Sequence, residues 1–164
     1  MEESFHYLLM ASQSVLHKRL LANLRDTGLT IGQPKVLEYL AGHDGASQIE
    51  IARACHIEAA TLTSVLNRME EKTLIERRTL HGNRRTFYIF LTPQGAELAK
   101  QVIRMFEQLE AEAFAGVTAQ QRESFLAVLE QVYHNLAERN GSRRWKKQNG
   151  IWYFWWDCSS APWA

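Results

Sequence analysis

The chain has 164 residues, 46% of them hydrophobic and 23% charged, with a formal net charge of +1; these are the values of an ordinary globular protein that can bury a core. Two cysteines, Cys55 and Cys158, are too few for a disulfide scaffold, and no apolar run approaches the ~20 residues of a membrane helix. The N-terminus does not resemble a secretory signal, so we expect a cytoplasmic protein of bacterial type.

The charges are distributed unevenly along the chain. Residues 47–93 contain seven Lys or Arg against five acids, whereas residues 94–140 contain four against seven. A nucleic-acid binder needs a basic face rather than a basic chain. Because a mixed solvated surface produces the same pattern, charge alone leaves DNA binding open.

The first half of the chain predicts helices. Apolar residues recur at helical spacing in residues 4–25 and 31–42. Ser47 and Glu50 predict a capping box that begins a short helix to about Ala54. After a turn, a longer helix to about Lys72 buries one apolar face. The members of that face are Leu62, Val65, Leu66 and Met69.

The second half predicts one hairpin followed by two helices. Two β-rich runs, residues 74–80 and 86–91, flank a polar loop with Gly-Asn turn chemistry and therefore predict a hairpin. Thr92 before Pro93 predicts the start of a helix that ends at Gly116. A second capping box at residues 118–121 opens the last helix.

The end of the chain differs in composition. All five tryptophans lie within residues 145–164, which indicates a separate basic and aromatic tail at residues 141–164. The bulky run 151–156 follows neither a helical nor a strand alternation. Four interpretations of the tail stay open. It could pack on its own dimer, have no selected role, bind a ligand or partner, or contact a membrane, and the last of these is disfavoured.

The segment 47–72 predicts a helix-turn-helix, whose second helix lies in the DNA major groove. The face opposite the apolar set carries small hydroxyl and amide side chains that allow close approach to DNA. A plain helical hairpin with a small polar surface is the alternative. The candidate recognition residues are Thr61, Thr63, Ser64, Asn67 and Arg68.

The hairpin that follows would be a wing with a basic tip. Arginine inserted into a narrow minor groove exploits the negative potential there. An isolated charged tip is equally explained by solubility, but its place directly after a helix-turn-helix favours DNA contact. The candidate wing residues are Arg77, Asn83, Arg84 and Arg85.

Two stretches, SQIEIARACHIEAATLTSVLNRMEEKTLIERR and NRRTFYIFLTPQG, resemble the MarR family of bacterial transcriptional regulators, and the resemblance covers about residues 5–140. It implies a mainly α fold with a small β-hairpin wing, in which a winged helix-turn-helix is flanked by N- and C-terminal dimerisation helices. It also implies a homodimer that binds a pseudo-palindromic operator in double-stranded DNA as a repressor. Thr61, Thr63, Ser64 and Arg68 would then lie at the major groove, and Arg84 and Arg85 on the minor-groove wing.

Three positions depart from the family pattern. Asn83 and Asn67 stand where the family usually has Asp, which removes carboxylates that could orient the wing or the recognition helix. Thr73 replaces the usual Gly after the recognition helix, so it either adopts a left-handed conformation or the helix ends differently.

The resemblance divides the chain into four segments. The predicted boundaries are 1–30 for an N-terminal dimerisation helix, 31–92 for the DNA-binding domain, 93–140 for C-terminal dimerisation helices and 141–164 for the tail. Independently of the family, the long apolar stripes at both ends of the chain need a partner beyond the winged core, which favours a dimer over a monomer.

The resemblance also implies a small aromatic or amphipathic effector in the crevice between the dimer arms and the winged core. Ordinary interface packing is the alternative for each residue that would line it. These residues are Met10, Ser14, His17, Tyr39 and His43.

No chemistry beyond binding is predicted. The histidines are scattered and no nucleophile, phosphate-loop or dinucleotide motif occurs, so we expect neither an enzyme nor a cofactor or metal site. Cys55 is predicted to be a buried apolar side chain, with oxidant sensing as the alternative. A rival function is a winged-helix module that binds protein and not DNA.

Overall fold

The computed structural model describes residues 4–79, 86–138, 144–148 and 151–155. The chain forms two compact units, Met1–Ala113 and Phe114–Ala164. The first unit contains five helices and three strands among its described residues. They are α1 (Phe5–Asn23), α2 (Gln33–Gly42), β1 (Ala46–Ser47), α3 (Gln48–Ala54), α4 (Ala59–Glu71), β2 (Ile75–Arg78), β3 (Tyr88–Leu91) and α5 (Pro93–Ala113), with a short 3-10 turn at Arg25–Thr27.

These elements confirm the predicted winged helix-turn-helix. The three strands form one antiparallel sheet in the order β1-β3-β2. Ile75 pairs with Leu91 at the base of the wing, and Ala46 pairs with Ile89 on the other side of β3. The sequence does not predict the strand β1, because two residues are too few to carry an alternation of polar and apolar side chains.

The core confirms the predicted inner face of α4. Leu62, Leu66 and Met69 are each at most 1% exposed, and Val65 is also buried. They pack in one cluster with α2, α3, the sheet and α5. The other fully enclosed members include Val36, Leu37, Leu40, Ile51, Ile89 and Val102.

Side chains cap the helices where the sequence predicts. Ser47 Oγ accepts a hydrogen bond from Glu50 N, and Glu50 Oε2 accepts one from Ser47 N at 2.7 Å. The bonds from Ser47 to the Glu50 carboxylate favour its charged form and lower the pKa of Glu50. At the start of α5, Thr92 Oγ1 accepts a bond from Gly95 N at 3.0 Å.

The end of α4 shows how the chain accommodates a residue other than glycine. Thr73 has φ 55°, in the left-handed region that costs a β-branched residue free energy. Its N–H bonds to Glu70 O, and the next N–H, from Leu74, bonds to Met69 O at 2.9 Å. This is a Schellman motif, so of the two expected outcomes the left-handed one is observed.

The first turn of α5 lies directly against this helix end. Thr92 N donates to Leu74 O, and Thr92 Oγ1 donates to Thr73 O at 2.6 Å. A Cβ on Gly95 would overlap the carbonyl oxygen of Leu74 and would lie 2.9 Å from its carbonyl carbon. The glycine therefore allows α5 to contact the backbone that follows α4.

The N-terminal helix α1 packs on α5 but has no buried residue. Arg19 Nη1 forms an exposed ion pair with Glu112 Oε2 at 2.7 Å, which adds little stability. Large apolar side chains along α1 remain exposed. They are Phe5, Tyr7, Leu8, Leu9, Met10, Val15 and Leu16.

The second unit contains α6 (Ala119–Glu138) and the strands β4 (Arg144–Gln148) and β5 (Ile151–Trp155). The predicted capping box is confirmed: Gln121 N donates to Thr118 Oγ1, and Thr118 N donates to Gln121 Oε1 at 3.0 Å. Large apolar side chains on α6, among them Phe125 and Leu136, are exposed.

The tail forms a hairpin that the sequence analysis does not predict, because its aromatic run lacks a strand alternation. The strands β4 and β5 pair antiparallel from Arg144↔Trp155 to Gln148↔Ile151. The sequence between them is Asn149-Gly150, the dipeptide that two-residue hairpin loops favour. That dipeptide was the available signal. Of the helices in the described ranges, none is long and apolar enough to cross a membrane.

We expect Gly95→Ala to destabilise the protein by about 2–3 kcal/mol, because the new methyl group overlaps backbone that cannot move without shifting α4 or α5. Urea denaturation followed by circular dichroism measures the change. Gly42→Ala is the matched control: a Cβ there meets nothing within 4 Å, and its stability should change little. Equal stabilities of the two variants would contradict the close contact.

Candidate functional site

The helix-turn-helix consists of α3, a four-residue turn and α4. The turn begins with a Schellman motif in which His56 has φ 51° and Ile57 N bonds to Ala52 O at 2.9 Å. Ile57 then packs against the core cluster, so the chain reverses direction before α4 begins at Ala59. The burial of one face of α4 therefore determines which side chains are presented on the other.

All five predicted recognition residues lie exposed on α4. Thr63 Oγ1 donates to Ala59 O at 3.0 Å, and Ser64 Oγ donates to Ala60 O at 3.4 Å. Each hydroxyl proton is thus engaged within the helix while the oxygen still has an acceptor lone pair. Thr61 and Arg68 lie at the margin of this polar face.

The predicted wing residue Arg77 lies on β2 but is directed at α4. Its Nη1 donates to Glu70 Oε2 at 2.8 Å, and its Nη2 donates to Asn67 Oδ1 at 2.6 Å. The Arg77 side chain is only 18% exposed. Arg77 therefore joins the wing to α4, and it brings together one predicted wing residue and one predicted recognition residue.

The neighbouring Arg78 makes a different set of contacts. Its guanidinium forms an ion pair with Glu76 at 2.8 Å and lies 4.6 Å from the centre of the Phe90 ring. The remaining predicted wing residues, Asn83, Arg84 and Arg85, lie outside the described residues, and their DNA contacts stay predictions.

Sequence reasoning missed Glu70 as a member of this site. Glu70 is seven positions from Arg77, with a helix end and a turn between them, so no spacing rule pairs the two residues. Only the approach of β2 to α4 brings them within ion-pair distance. We call the group Asn67, Glu70 and Arg77 the Arg77 clamp.

The predicted effector residues occupy two helices. Tyr39 and His43 stack in parallel near the end of α2, with ring centres 4.4 Å apart, and His43 Nδ1 lies 3.1 Å from Tyr39 O. Met10, Ser14 and His17 are exposed on α1. The effector pocket stays a prediction.

Cys55 is buried at the end of α3, as predicted, and its Sγ lies 3.6 Å from Lys35 O. Burial raises the pKa of the Cys55 thiol to about 11. Cys158 lies outside the described residues. In the parts of the chain that the structure covers, no group of three or more His, Cys, Asp or Glu side chains could hold a metal ion.

A protein-family model and several solved structures match this chain. Residues 29–87 match the model of the MarR family, which confirms the resemblance. The structure is similar to that of S. aureus MepR in a complex with DNA, at 26% sequence identity. The similarity covers 82% of this chain and 98% of MepR, with a TM-score of 0.76.

Two further solved structures share the fold. A MarR family regulator from Listeria monocytogenes, complexed with a 26mer DNA, is 21% identical; the match covers 85% of this chain and 92% of that one, with a TM-score of 0.76. The reduced form of E. coli MarR is 22% identical; the match covers 79% of this chain and 96% of that one, with a TM-score of 0.67.

We expect Cys55 to resist alkylation by iodoacetamide at pH 8, because the thiolate is the reactive form and burial disfavours it. Since folding raises this pKa, the protonated thiol adds to the free energy of unfolding below pH ~9. This contribution to stability is lost as the pH rises through about 11. Site-resolved mass spectrometry with and without urea measures the reaction. Rapid labelling of Cys55 in the folded protein would contradict this expectation and support the oxidant-sensing alternative.

Proposed function

We propose that this chain, whose residues 29–87 match the MarR family, is a DNA-binding transcriptional regulator that acts as a homodimer on a pseudo-palindromic operator. The observation that carries the proposal is the arrangement of α4: one face is buried in the core and the opposite face is polar, exposed and composed of small side chains. A helix of that kind, second in a helix-turn-helix, fits the major groove.

The proposed recognition surface consists of Thr61, Thr63, Ser64, Asn67 and Arg68. Thr63 and Ser64 would accept or donate hydrogen bonds at base edges or phosphates, and Arg68 would neutralise a phosphate at the margin of the groove. The wing-tip residues Arg84 and Arg85 would enter the adjacent minor groove. Binding of this kind needs no catalytic group, and the protein would act in the compartment that holds the chromosome.

Exposed apolar surface supports the homodimer. In the first unit, α1 exposes seven large apolar side chains, and in the second unit α6 exposes several more. Monomeric proteins rarely leave such surfaces uncovered, and two-fold pairing of identical chains is the commonest solution. Two recognition helices would then meet inverted half-sites about one DNA turn apart, roughly 34–36 Å.

Repression follows if the dimer covers promoter DNA. Release by a small aromatic or amphipathic effector near Tyr39 and His43 is part of the proposal and rests on the family resemblance. The stacked rings of these two residues offer an aromatic surface for such a ligand.

DNA fragments selected from a random library with purified protein should share an inverted repeat. Affinity for such a fragment should fall steeply as the salt concentration rises, because each phosphate contact releases about 0.9 counterions. We expect Arg68→Ala to reduce the salt slope by about 1. Arg104→Ala, which removes the same charge from an exposed position on α5, should leave the slope unchanged.

The double substitution Arg84→Ala, Arg85→Ala should weaken binding strongly and leave the dimer intact. If the protein selects no DNA fragment even at low salt, the result would favour the protein-interaction alternative.

Light scattering should give the mass of a dimer at micromolar concentration. We expect Leu9→Glu with Leu16→Glu to dissociate it, because charges on the exposed apolar face of α1 would oppose burial. Ile49→Glu, at an equally apolar exposed position on α3, is the matched control and should remain dimeric. A folded wild-type monomer would contradict the homodimer.

A further inference from the structure

The Arg77 clamp sets the orientation of a side chain on the recognition face. A guanidinium group has five N–H donors and no acceptor, so the atom of Asn67 that faces Arg77 must be the amide oxygen. The distance from Arg77 Nη2 to Asn67 Oδ1 is 2.6 Å. The covalent geometry of the amide then places Nδ2, with its two hydrogens, away from the guanidinium.

Arg77 itself is held in place. Its second terminal nitrogen is bound to Glu70 Oε2 at 2.8 Å, and the side chain is largely buried between β2 and α4. Its Nε is buried without a hydrogen-bond partner among the residues that the structure describes. A group enclosed in this way cannot swing out to a phosphate without breaking both bonds, so it differs from an exposed DNA-contacting arginine.

The orientation of Asn67 has a consequence for base reading. Asparagine reads adenine by accepting a bond from N6 with its oxygen while donating to N7 with its nitrogen. The bond to Arg77 uses one of the two lone pairs of Oδ1 and holds the plane of the amide, so the donors on Nδ2 are the main groups that Asn67 offers to a base edge. Guanine offers two adjacent acceptors, O6 and N7, on its major-groove edge.

We propose that Arg77 is a specificity-determining residue that acts through Asn67, so that position 67 reads guanine rather than adenine. The inference rests on the proposed function, since it requires α4 to enter the major groove. Arg77 is a positioning residue in this scheme and does not touch DNA.

The test compares base preferences at each position of the selected operator for five proteins: wild type, Asn67→Ala, Arg77→Met, the double variant Asn67→Ala with Arg77→Met, and Arg78→Met. Arg78→Met is the matched control, because it removes the same charge from the next residue of β2 and leaves the clamp intact. Circular dichroism checks that each variant is folded.

We expect wild type to prefer guanine over adenine by about tenfold at one base pair of each half-site, and Asn67→Ala to lose this preference. Arg77→Met should admit adenine at the same pair, with an unchanged salt slope. The double variant should resemble Asn67→Ala, and Arg78→Met should keep the wild-type preference.

Three outcomes would overturn the inference while leaving DNA binding established. They are a wild-type preference for adenine at that pair, an Asn67→Ala variant with no altered preference, and an Arg77→Met variant that weakens binding equally at every pair or lowers the salt slope by about 1. If Arg77→Met does not fold, the wild-type and Asn67→Ala preferences alone decide between guanine and adenine. Failure of wild type to bind any DNA would instead overturn the proposed function.

Discussion

The structure depends on the burial of one face of α4. Leu62, Leu66 and Met69 are almost completely enclosed, and each contributes about 1.5–3 kcal/mol relative to exposure. Rotating the helix by even one residue would move these side chains to solvent and bring polar ones into the core. The hydrophobic contact therefore determines the rotation of α4, and with it the set of polar side chains presented on the opposite face.

Contacts at the C-terminal end of α4 also hold the helix in place. At its C-terminus, the Schellman motif through Thr73 leads directly to the backbone of Leu74, on which the first turn of α5 rests. Thr92 joins the two elements, because it caps α5 and also donates to Thr73 O. The helices α4 and α5, on the second of which α1 packs, thus share one junction with no room for a Cβ at Gly95.

The Arg77 clamp acts from the side. It couples α4 to the wing through one ion pair and one hydrogen bond, both made by an Arg77 side chain that is only 18% exposed, to partners on the surface of α4. Arg77, which the sequence predicts to be a basic DNA contact on the wing, is instead directed at α4. The polar face of α4 is accordingly shaped by its neighbours as well as by its own sequence.

The sequence by itself determined the helices, the wing and the inner face of α4, because periodicity and capping residues act within a few positions of the chain. Ser47 with Glu50, Thr92 before Pro93, and the apolar set on α4 are all local signals of this kind. Only the tertiary structure decided the partners of Arg77, the close contact at Gly95 and the pairing of β1 with β3, because these join residues from separate elements. The tail hairpin is an intermediate case: Asn149-Gly150 was a local signal, but the aromatic run beside it lacks the alternation by which a strand is recognised.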